Sequence, residues 1–351
     1  MPRGQTSDSA ALTYAGAGIN LAAREAMVER IRELTSTSDP RVLAGVGPFA
    51  SLFRLAGYRD PVVAASIDSV GTKLRLAIIM DRFDGIGADI VNHCVNDVLT
   101  SGAEPLFFLD YIGSSELDDE TKLELVAGMA QACREAGCVL IGGETADLPG
   151  VYGAGDFDLV GVMVGACERE KILGPEKVKD GDVLVGLPSN GLHTNGYSLV
   201  RRAFEVGLDG DPVADRRVLE RYYEELGETL ADALLRPHRS YLAEVHPLIE
   251  DLHAIAHVTG GGIDGNLSRI VPDGLTGVVR LGTWTAPPIF DLIARGGIDR
   301  GELYRVFNMG LGMILAVPAD KADHVLSQIE GASVVGEIRP GQEKTVLEGA
   351  P

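Results

Sequence analysis

An apolar segment that ends at an acid and a glycine turn constrains the fold of this chain most. Residues 61–67 begin at a proline and are almost all apolar, as expected for a buried strand, and residues 74–80 are apolar again. Between them, residues 68–73 read Asp-Ser-Val-Gly-Thr-Lys. A carboxylate at a strand end can hold a divalent cation. The glycine, threonine and lysine offer close backbone approach, a hydroxyl and an ammonium to phosphate oxygens. An ordinary surface turn is the alternative interpretation.

The remaining sequence alternates strand-like and helix-like segments, which predicts an α/β protein. We predict further strands at residues 105–111, 138–141, 157–167, 183–187, 255–258, 277–281 and 313–317. We predict helices at residues 20–34, 87–102, 118–136, 197–206 and 266–271, and for residues 74–80 either a strand or a helix start. Charged residues, a glycine and a proline interrupt the apolar rhythm between residues 168 and 182. We therefore expect a disordered tail (1–13), an N-terminal domain (14–170) and a C-terminal domain (171–345).

The charge of the chain limits its partners. The 351 residues include 31 basic and 51 acidic side chains, for a net charge of −20. Nucleic acids and anionic membranes require basic surfaces, so neither is expected as a partner. No apolar run reaches the roughly 20 residues that span a bilayer. The four cysteines form no Cys-x-x-Cys pair, which favours buried free thiols in a reducing compartment. We expect a cytoplasmic protein.

Three acids stand near the ends of regular elements rather than in charged surface runs. They are Asp68, Asp97 and Glu144. Glu144 belongs to a Gly-Gly-Glu-Thr sequence that we expect to form a tight turn after a strand. Carboxylates placed in this way could converge on Mg²⁺, which prefers hard oxygen ligands. A capping or turn role is the alternative for each of them.

Two polar glycine loops and one histidine complete the candidate site. Residues 189–198 form a polar loop in which His193, expected to be partly exposed, could act as acid or base. Residues 259–262, Thr-Gly-Gly-Gly, follow a strand and could bind a phosphate at a helix N-terminus. A dinucleotide site is excluded because the next strand does not end in an acid. No P-loop sequence is present. His257 lies in an apolar strand and is interpreted as a core histidine.

These motifs together resemble the aminoimidazole ribonucleotide synthetase family, also called phosphoribosylformylglycinamidine cyclo-ligase. The resemblance runs from about residue 14 to about residue 338. Besides residues 68–77, the motifs that carry it are Cys-Val-Asn-Asp (94–97), Gly-Ala-Glu-Pro-Leu-Phe-Phe-Leu-Asp-Tyr (102–111), Gly-Gly-Glu-Thr-Ala (142–146), Gly-Leu-His-Thr-Asn-Gly-Tyr-Ser-Leu-Val-Arg (191–201), Thr-Gly-Gly-Gly (259–262) and Phe-Asn-Met-Gly-Leu-Gly-Met (307–313). Residues 102–111 and 191–201 are specific to this family within its wider ATP-using superfamily.

The resemblance implies a two-domain α/β fold of the α+β type, with mixed sheets flanked by helices, and a homodimer formed through the N-terminal sheets. It also implies an ATP-dependent closure of formylglycinamidine ribonucleotide to aminoimidazole ribonucleotide, in purine biosynthesis. Mg²⁺ is the implied cofactor, with K⁺ as an option. The implied catalytic residues are Lys73, His193 and Asp97, and the implied metal ligands are Asp68, Asp97 and Glu144. ATP would be bound by Asp68, Gly71, Thr72, Lys73, Gly143, Glu144 and Thr145. The substrate would be bound by Asn190, His193, Asn195, Gly260, Gly261 and Gly262.

The chain departs from the family pattern at three places. Ser69 replaces a glycine, Asn20 replaces a carboxylate, and residues 47–50 read Gly-Pro-Phe-Ala where the family has Gly-Gly-Phe-Gly. A catalytically silent nucleotide-binding homologue is therefore the alternative from a different functional class. Selenophosphate synthetase and the hydrogenase-maturation dehydratases are disfavoured, because the first cysteine is Cys94 and the chain ends without one.

Overall fold

The computed structural model describes residues 21–115, 117–208 and 210–349. The predicted tail at residues 1–13 and the departure at Asn20 lie outside these residues. In the described part the chain is an α/β protein with mixed sheets, as the sequence predicts. No helix there is both long and apolar enough to cross a membrane. The four cysteines are buried and free, which confirms the prediction of buried free thiols.

Twelve α-helices are found in the described residues. They are α1 (Leu21–Leu34), α2 (Lys73–Met80), α3 (Ile86–Leu99), α4 (Asp119–Glu135), α5 (Tyr197–Ala203), α6 (Pro212–Leu219), α7 (Leu230–Leu235), α8 (Leu242–Val245), α9 (Gly262–Leu267), α10 (Ile289–Ala294), α11 (Arg300–Val306) and α12 (Ala322–Gln328).

The same residues contain fourteen strands. They are β1 (Val42–Ala44), β2 (Leu52–Phe53), β3 (Pro61–Ser69), β4 (Glu104–Ser114), β5 (Val139–Asp147), β6 (Phe157–Glu168), β7 (Val183–Pro188), β8 (Tyr222–Tyr223), β9 (Glu228–Thr229), β10 (Ala254–His257), β11 (Leu275–Arg280), β12 (Leu311–Val317), β13 (Ser333–Pro340) and β14 (Thr345–Glu348).

Local sequence explains where the central helices begin and end. The Asp118 side chain accepts a hydrogen bond from the Thr121 backbone N–H at 2.9 Å and caps α4. The same helix ends at Glu135, and Gly137, two residues further on, has a positive φ of 67° that suits a glycine after a helix. Residues 74–80, left open by the sequence, are helical as α2. Helix α9 begins four residues earlier than residue 266, so the prediction of its start is wrong.

The first sheet has four strands in the order β3-β6-β4-β5, of which only β4 and β5 are parallel. Helix α3 packs against β3, β4 and β6, and α4 packs beside α3. These helices cover one face of the sheet. On the other face, Val63 and Ile67 of β3 are 58% and 68% exposed. Because side chains alternate along a strand, the even-numbered residues of β3, including Ser66 and Asp68, face the helices.

The second sheet has six strands in the order β10-β12-β7-β13-β11-β14. All neighbours are antiparallel except β11 and β14. Strand β12, second in this order, is buried along its full length. The segment between α7 and α8 (residues 236–241) leaves the second half and lies against α3, so that α3 touches both halves of the chain.

Candidate active site

Two of the three predicted metal-binding acids lie side by side. Asp68 is at the end of β3, and Asp97 is in the last turns of α3. The Ser66 hydroxyl, on the same face of β3 as Asp68, donates to Asp97 Oδ2 at 2.8 Å. The two carboxylate side chains are 39% and 31% exposed. Both carboxylates are therefore partly exposed, and their hard oxygen atoms suit a divalent cation.

A histidine that the sequence did not single out lies between these carboxylates. His93, one turn before Asp97 on α3, is buried, and its Nε2 is 2.8 Å from Asp68 Oδ2 and 3.8 Å from Asp97 Oδ2. Burial alone would lower the pKa of His93, but the hydrogen bond to Asp68 and the two negative charges outweigh it and raise the pKa. Burial likewise raises the pKa of Asp68, and the contact with His93 more than offsets this and lowers it.

A chain of five hydrogen bonds runs from Asp68 through His93 to Asp97. The successive contacts are Asp68–His93 (2.8 Å), His93 Nδ1–Thr194 Oγ1 (2.7 Å), Thr194 Oγ1–His238 Nδ1 (3.2 Å), His238 Nε2–His257 Nε2 (3.1 Å) and His257 Nδ1–Asp97 Oδ1 (2.8 Å). His257 is buried as predicted, but its ring nitrogen contacts Asp97, so it belongs to the site. Three neutral imidazoles and one hydroxyl supply four protons for five hydrogen bonds.

His193 is fully buried, with 2% of its surface exposed, so the prediction of a partly exposed imidazole is wrong. Among the described residues neither ring nitrogen has a hydrogen-bond partner. The ring instead stacks on His238, with centroids 4.0 Å apart and planes inclined by 17°. Burial is the main cause that lowers the pKa of His193 well below its usual value, and the nearby ammonium of Lys73 acts in the same direction. The imidazole is therefore neutral and has a free lone pair.

Lys73 does not present its ammonium group to solvent. The residue is the first of α2, and it is 0% exposed. Its Nζ contacts Asp89 and donates to the Arg236 carbonyl, both at 2.8 Å. Burial lowers the pKa of Lys73 and raises that of Asp89, and the attraction between the two groups opposes both shifts. The predicted contact of Lys73 with phosphate is not available in this conformation.

Glu144 does not join Asp68 and Asp97 in this chain. Gly143, Glu144 and Thr145 continue β5 as a strand and do not form the expected turn. The first and last strands of the sheet are three strand spacings apart, or about 14 Å. In addition, Glu144 and Tyr111, its partner in β4, are on the open face of the first sheet, which is the face that α3 and α4 leave uncovered. Asp68 faces the helices. The prediction that all three acids of one chain converge on the same ion is therefore wrong.

The predicted glycine loops come together at the junction of the two halves. Gly71 and Thr72 are exposed at the start of α2, and the Thr72 hydroxyl is 3.1 Å from that of Ser198 at the start of α5. The Asn195 side chain lies against Gly260, and its Nδ2 is buried and has no partner in the described part of the chain. This amide can donate to a ligand at the junction.

The other substrate-loop residues have structural explanations. Gly261 and Gly262 have positive φ angles of 96° and 64°, and a side chain on Gly262 would collide with the Tyr304 carbonyl. Asn190 donates from Nδ2 to the Pro237 carbonyl at 2.9 Å, which ties its loop to the segment that lies on α3. Gly260 and Gly261 remain exposed.

The sequence analysis missed His93, Asp89 and His238. A signal for the first two was present, because Asp89, His93 and Asn96 follow i, i+4, i+7 spacing in an otherwise apolar helix and so share one face. Asp89 Oδ1 accepts from the His238 backbone N–H at 2.7 Å, and Asn96 Nδ2 donates to the Arg239 carbonyl at 2.8 Å. His238 itself lies in an irregular segment, where periodicity carries no information.

The fold and this junction define a two-domain α/β protein in which carboxylates from one half meet buried histidines and glycine loops from the other. Two family models match the chain: "AIR synthase related protein, N-terminal domain" over residues 50–167 and "AIR synthase related protein, C-terminal domain" over residues 179–348. The chain belongs to the AIR synthase related family.

Curated relatives carry a more specific name. A phosphoribosylformylglycinamidine cyclo-ligase of Anaeromyxobacter sp. (strain Fw109-5) is 46% identical over 348 residues, which cover 96% of this chain and 98% of that protein. One of Thermoanaerobacter pseudethanolicus (strain ATCC 33223 / 39E) is 41% identical over 343 residues, which cover 96% of this chain and all of that protein.

Solved structures share the fold at low sequence identity. The hydrogenase maturation protein HypE in complex with ATP is 21% identical with a TM-score of 0.64, and the match covers 94% of this chain and 92% of HypE. Thiamine-monophosphate kinase from Stenotrophomonas maltophilia K279a is 18% identical with a TM-score of 0.60, and the match covers 92% and 96% of the two chains. These similarities support the fold alone.

Proposed function

We propose that this chain is an ATP-dependent cyclo-ligase that closes formylglycinamidine ribonucleotide to aminoimidazole ribonucleotide, with release of ADP and phosphate. The observation that carries the proposal is the nearly full-length, 46% identical relative named phosphoribosylformylglycinamidine cyclo-ligase. The junction described above is consistent with it, since a phosphoryl donor and its acceptor must be held in line between the two halves.

The formyl amide oxygen of the substrate is a poor leaving group. Phosphorylation by ATP turns it into a leaving group, after which the amidine nitrogen attacks the formyl carbon. The C–O bond breaks, phosphate leaves, and the nitrogen gives up a proton. Little covalent chemistry is required of the protein, so positioning and charge stabilisation dominate.

On the nucleotide side, Asp68 and Asp97 fit a divalent cation, because both are partly exposed carboxylates and lie side by side. When bound, the ion would spread the negative charge of the transferred phosphoryl group. The exposed Gly71 and Thr72, at the start of α2, would contact the phosphates. Mg²⁺ is the ion predicted from the sequence. K⁺ stays a prediction without assigned residues.

On the substrate side, Asn195, Asn190 and the exposed Gly260–Gly261 backbone would bind the ribonucleotide, with its 5′-phosphate at the glycines. The unpartnered Asn195 amide is the strongest support for this placement, because a buried donor without an acceptor is costly. His193, neutral and with free ring nitrogens, would accept the proton that the attacking amidine nitrogen releases.

For Lys73 we propose a positioning role. Its buried pair with Asp89 joins the start of α2 to α3, and its contact with the Arg236 carbonyl joins both to the second half of the chain. Lys73 would thus hold the exposed Gly71 and Thr72 in place for the phosphates.

We further propose that a second copy of the chain covers the open face of the first sheet. Val63 and Ile67 on that face are more than half exposed, and an exposed apolar sheet face is a common site of association. Glu144 lies on the same face, so it would be placed at the interface and not beside Asp68 of its own chain.

Purified protein with Mg-ATP tests the function. We expect ADP release only when formylglycinamidine ribonucleotide is added, together with a product that carries a free aromatic amine. ATP hydrolysis that is independent of the substrate, or ADP release without the amine, would contradict the proposal.

A further inference from the structure

The side chain of Asn96 is fully buried on α3, and both polar atoms of its amide bind one segment from the second half of the chain. Its Oδ1 accepts a hydrogen bond from the Tyr241 backbone N–H at 3.0 Å, and its Nδ2 donates to the Arg239 carbonyl at 2.8 Å. The same Nδ2 lies 3.2 Å from Nε2 of His238. One amide therefore fixes three of the four residues 238–241 relative to α3.

Two residues of this segment also pack against the His193 ring. His238 stacks on it, and the Tyr241 ring meets it edge-on, with centroids 6.1 Å apart and planes inclined by 63°. Tyr241 is fully buried, and its hydroxyl donates to the Pro188 carbonyl at 3.0 Å. A side chain at Gly312 on β12 would collide with the Tyr241 hydroxyl and come within 2.8 Å of His193 Cε1, so the two rings fill this space completely.

Packing alone orients the His193 ring. Within the described part of the chain neither of its ring nitrogens has a hydrogen-bond partner, so the imidazole keeps its direction only while the rings around it stay in place. Those rings belong to a segment without regular secondary structure, which is held on α3 by side chains. The direction matters, because a proton acceptor must lie within hydrogen-bond reach of the proton that it takes.

We propose that Asn96 is a positioning residue for His193: its amide holds residues 238–241 on α3, and these residues hold the imidazole in the direction that proton transfer requires. The inference deepens the proposed function and rests on the role of His193 as proton acceptor in it. Loss of the Asn96 amide should lower turnover and leave nucleotide binding intact, because the amide acts on the ring and not on the phosphates.

A double-mutant cycle in turnover tests this role. His193→Ala removes the acceptor and should lower kcat by about 100-fold. Asn96→Leu should lower kcat by about tenfold, with KM for ATP changed by less than about twofold. In the His193→Ala chain, Asn96→Leu should have no further effect on kcat, because the ring through which it acts is already gone. Gln131→Leu, the same change at an exposed amide of α4, is the matched control and should keep the kcat of the unmodified chain.

The ring itself is observed by NMR of the chain with isotope-labelled histidine. The His193 Cε1–H signal is assigned by its loss in His193→Ala. We expect Asn96→Leu to move this signal toward that of the exposed His324, and Gln131→Leu to leave it in place. Circular dichroism and thermal melting confirm that each variant is folded. If Asn96→Leu does not fold, Asn96→Ser replaces it, because the shorter side chain removes the amide and keeps a polar group.

The outcomes separate this inference from the proposed function. A further tenfold loss of kcat from Asn96→Leu in the His193→Ala chain would overturn the inference, as would an unmoved His193 signal in the folded variant. A higher KM for ATP with an unchanged kcat would also overturn it, since Asn96 would then act on the nucleotide side. If the unmodified chain releases no ADP with formylglycinamidine ribonucleotide, the proposed function falls, and the NMR signal alone decides whether Asn96 positions the ring.

Discussion

The imidazole of His193 stacks on that of His238 with ring centroids 4.0 Å apart, and this contact replaces the hydrogen bonds that usually orient a buried histidine. His193 also has a positive φ of 63°, so its backbone is held in a conformation that non-glycine residues adopt rarely. Since His193 is the proposed proton acceptor, the orientation of its ring depends on a residue from another loop.

Replacement of His238 should therefore lower turnover through His193. We expect His238→Ala to lower kcat by about tenfold, because His193 loses the ring on which it rests, with a smaller change in KM. His238→Phe keeps a flat ring and should retain more of the activity. Steady-state kinetics of both folded variants check this, and equal kcat values for Ala and Phe would show that stacking is not the important contact.

The buried pair of Lys73 and Asp89 should be visible in stability. Lys73→Met leaves the buried Asp89 carboxylate without its partner and should lower the free energy of unfolding by about 3–5 kcal/mol. Adding Asp89→Asn, which can still accept from the His238 backbone N–H, should recover part of that loss. Urea denaturation of both single variants and the double variant measures the coupling. Additive losses would mean that the two groups do not interact.

The open face of the first sheet should determine the oligomeric state. Ile67→Lys places a charge on this face and should convert a dimer into a monomer in sedimentation velocity. Val213→Lys is the matched control, since Val213 is a similarly exposed apolar residue on α6, away from the sheet. The proposed interface would be excluded if both variants sedimented alike.

Asp110 should make stability depend on pH. Burial raises its pKa to about 7, and the negative charge of Glu144 adds to the shift. In the unfolded chain the pKa is about 3.9. Because the folded value is the higher one, the stabilising contribution is complete below the unfolded pKa and is lost as pH rises through about 7. The unmodified chain should therefore lose more stability between about pH 5 and about pH 8 than Asp110→Asn. Parallel pH profiles of the melting temperature would contradict this.

Much of the fold could be predicted because local patterns determine it. The apolar run before Asp68 and the capped helix after Asp118 specify β3 and α4 through burial and capping alone. The continuation of β5 through Glu144 could not be predicted in this way, because its two glycines favour a turn locally. A side chain at Gly143 would collide with Asp110 on β4, which is a tertiary constraint.

The candidate site was predictable only in part for the same reason. Asp68 and Asp97 were found from their places at element ends. The burial of His193 and the pairing of Lys73 depend on residues 236–241, which cross to α3 from the second half of the chain. No local pattern encodes that crossing, so contacts such as Lys73–Asp89 and His193–His238 became visible only in the folded structure.

The most direct test of the proposed reaction uses formylglycinamidine ribonucleotide labelled with ¹⁸O in its formyl amide oxygen. The purified chain is incubated with unlabelled Mg-ATP, and phosphate, ADP and the aminoimidazole product are analysed together. We predict one labelled phosphate and one ADP for each product formed, because the amide oxygen leaves as phosphate. Product formed with unlabelled phosphate would contradict a phosphorylated amide, and labelled substrate left unchanged while ATP is consumed would contradict the cyclo-ligase function itself.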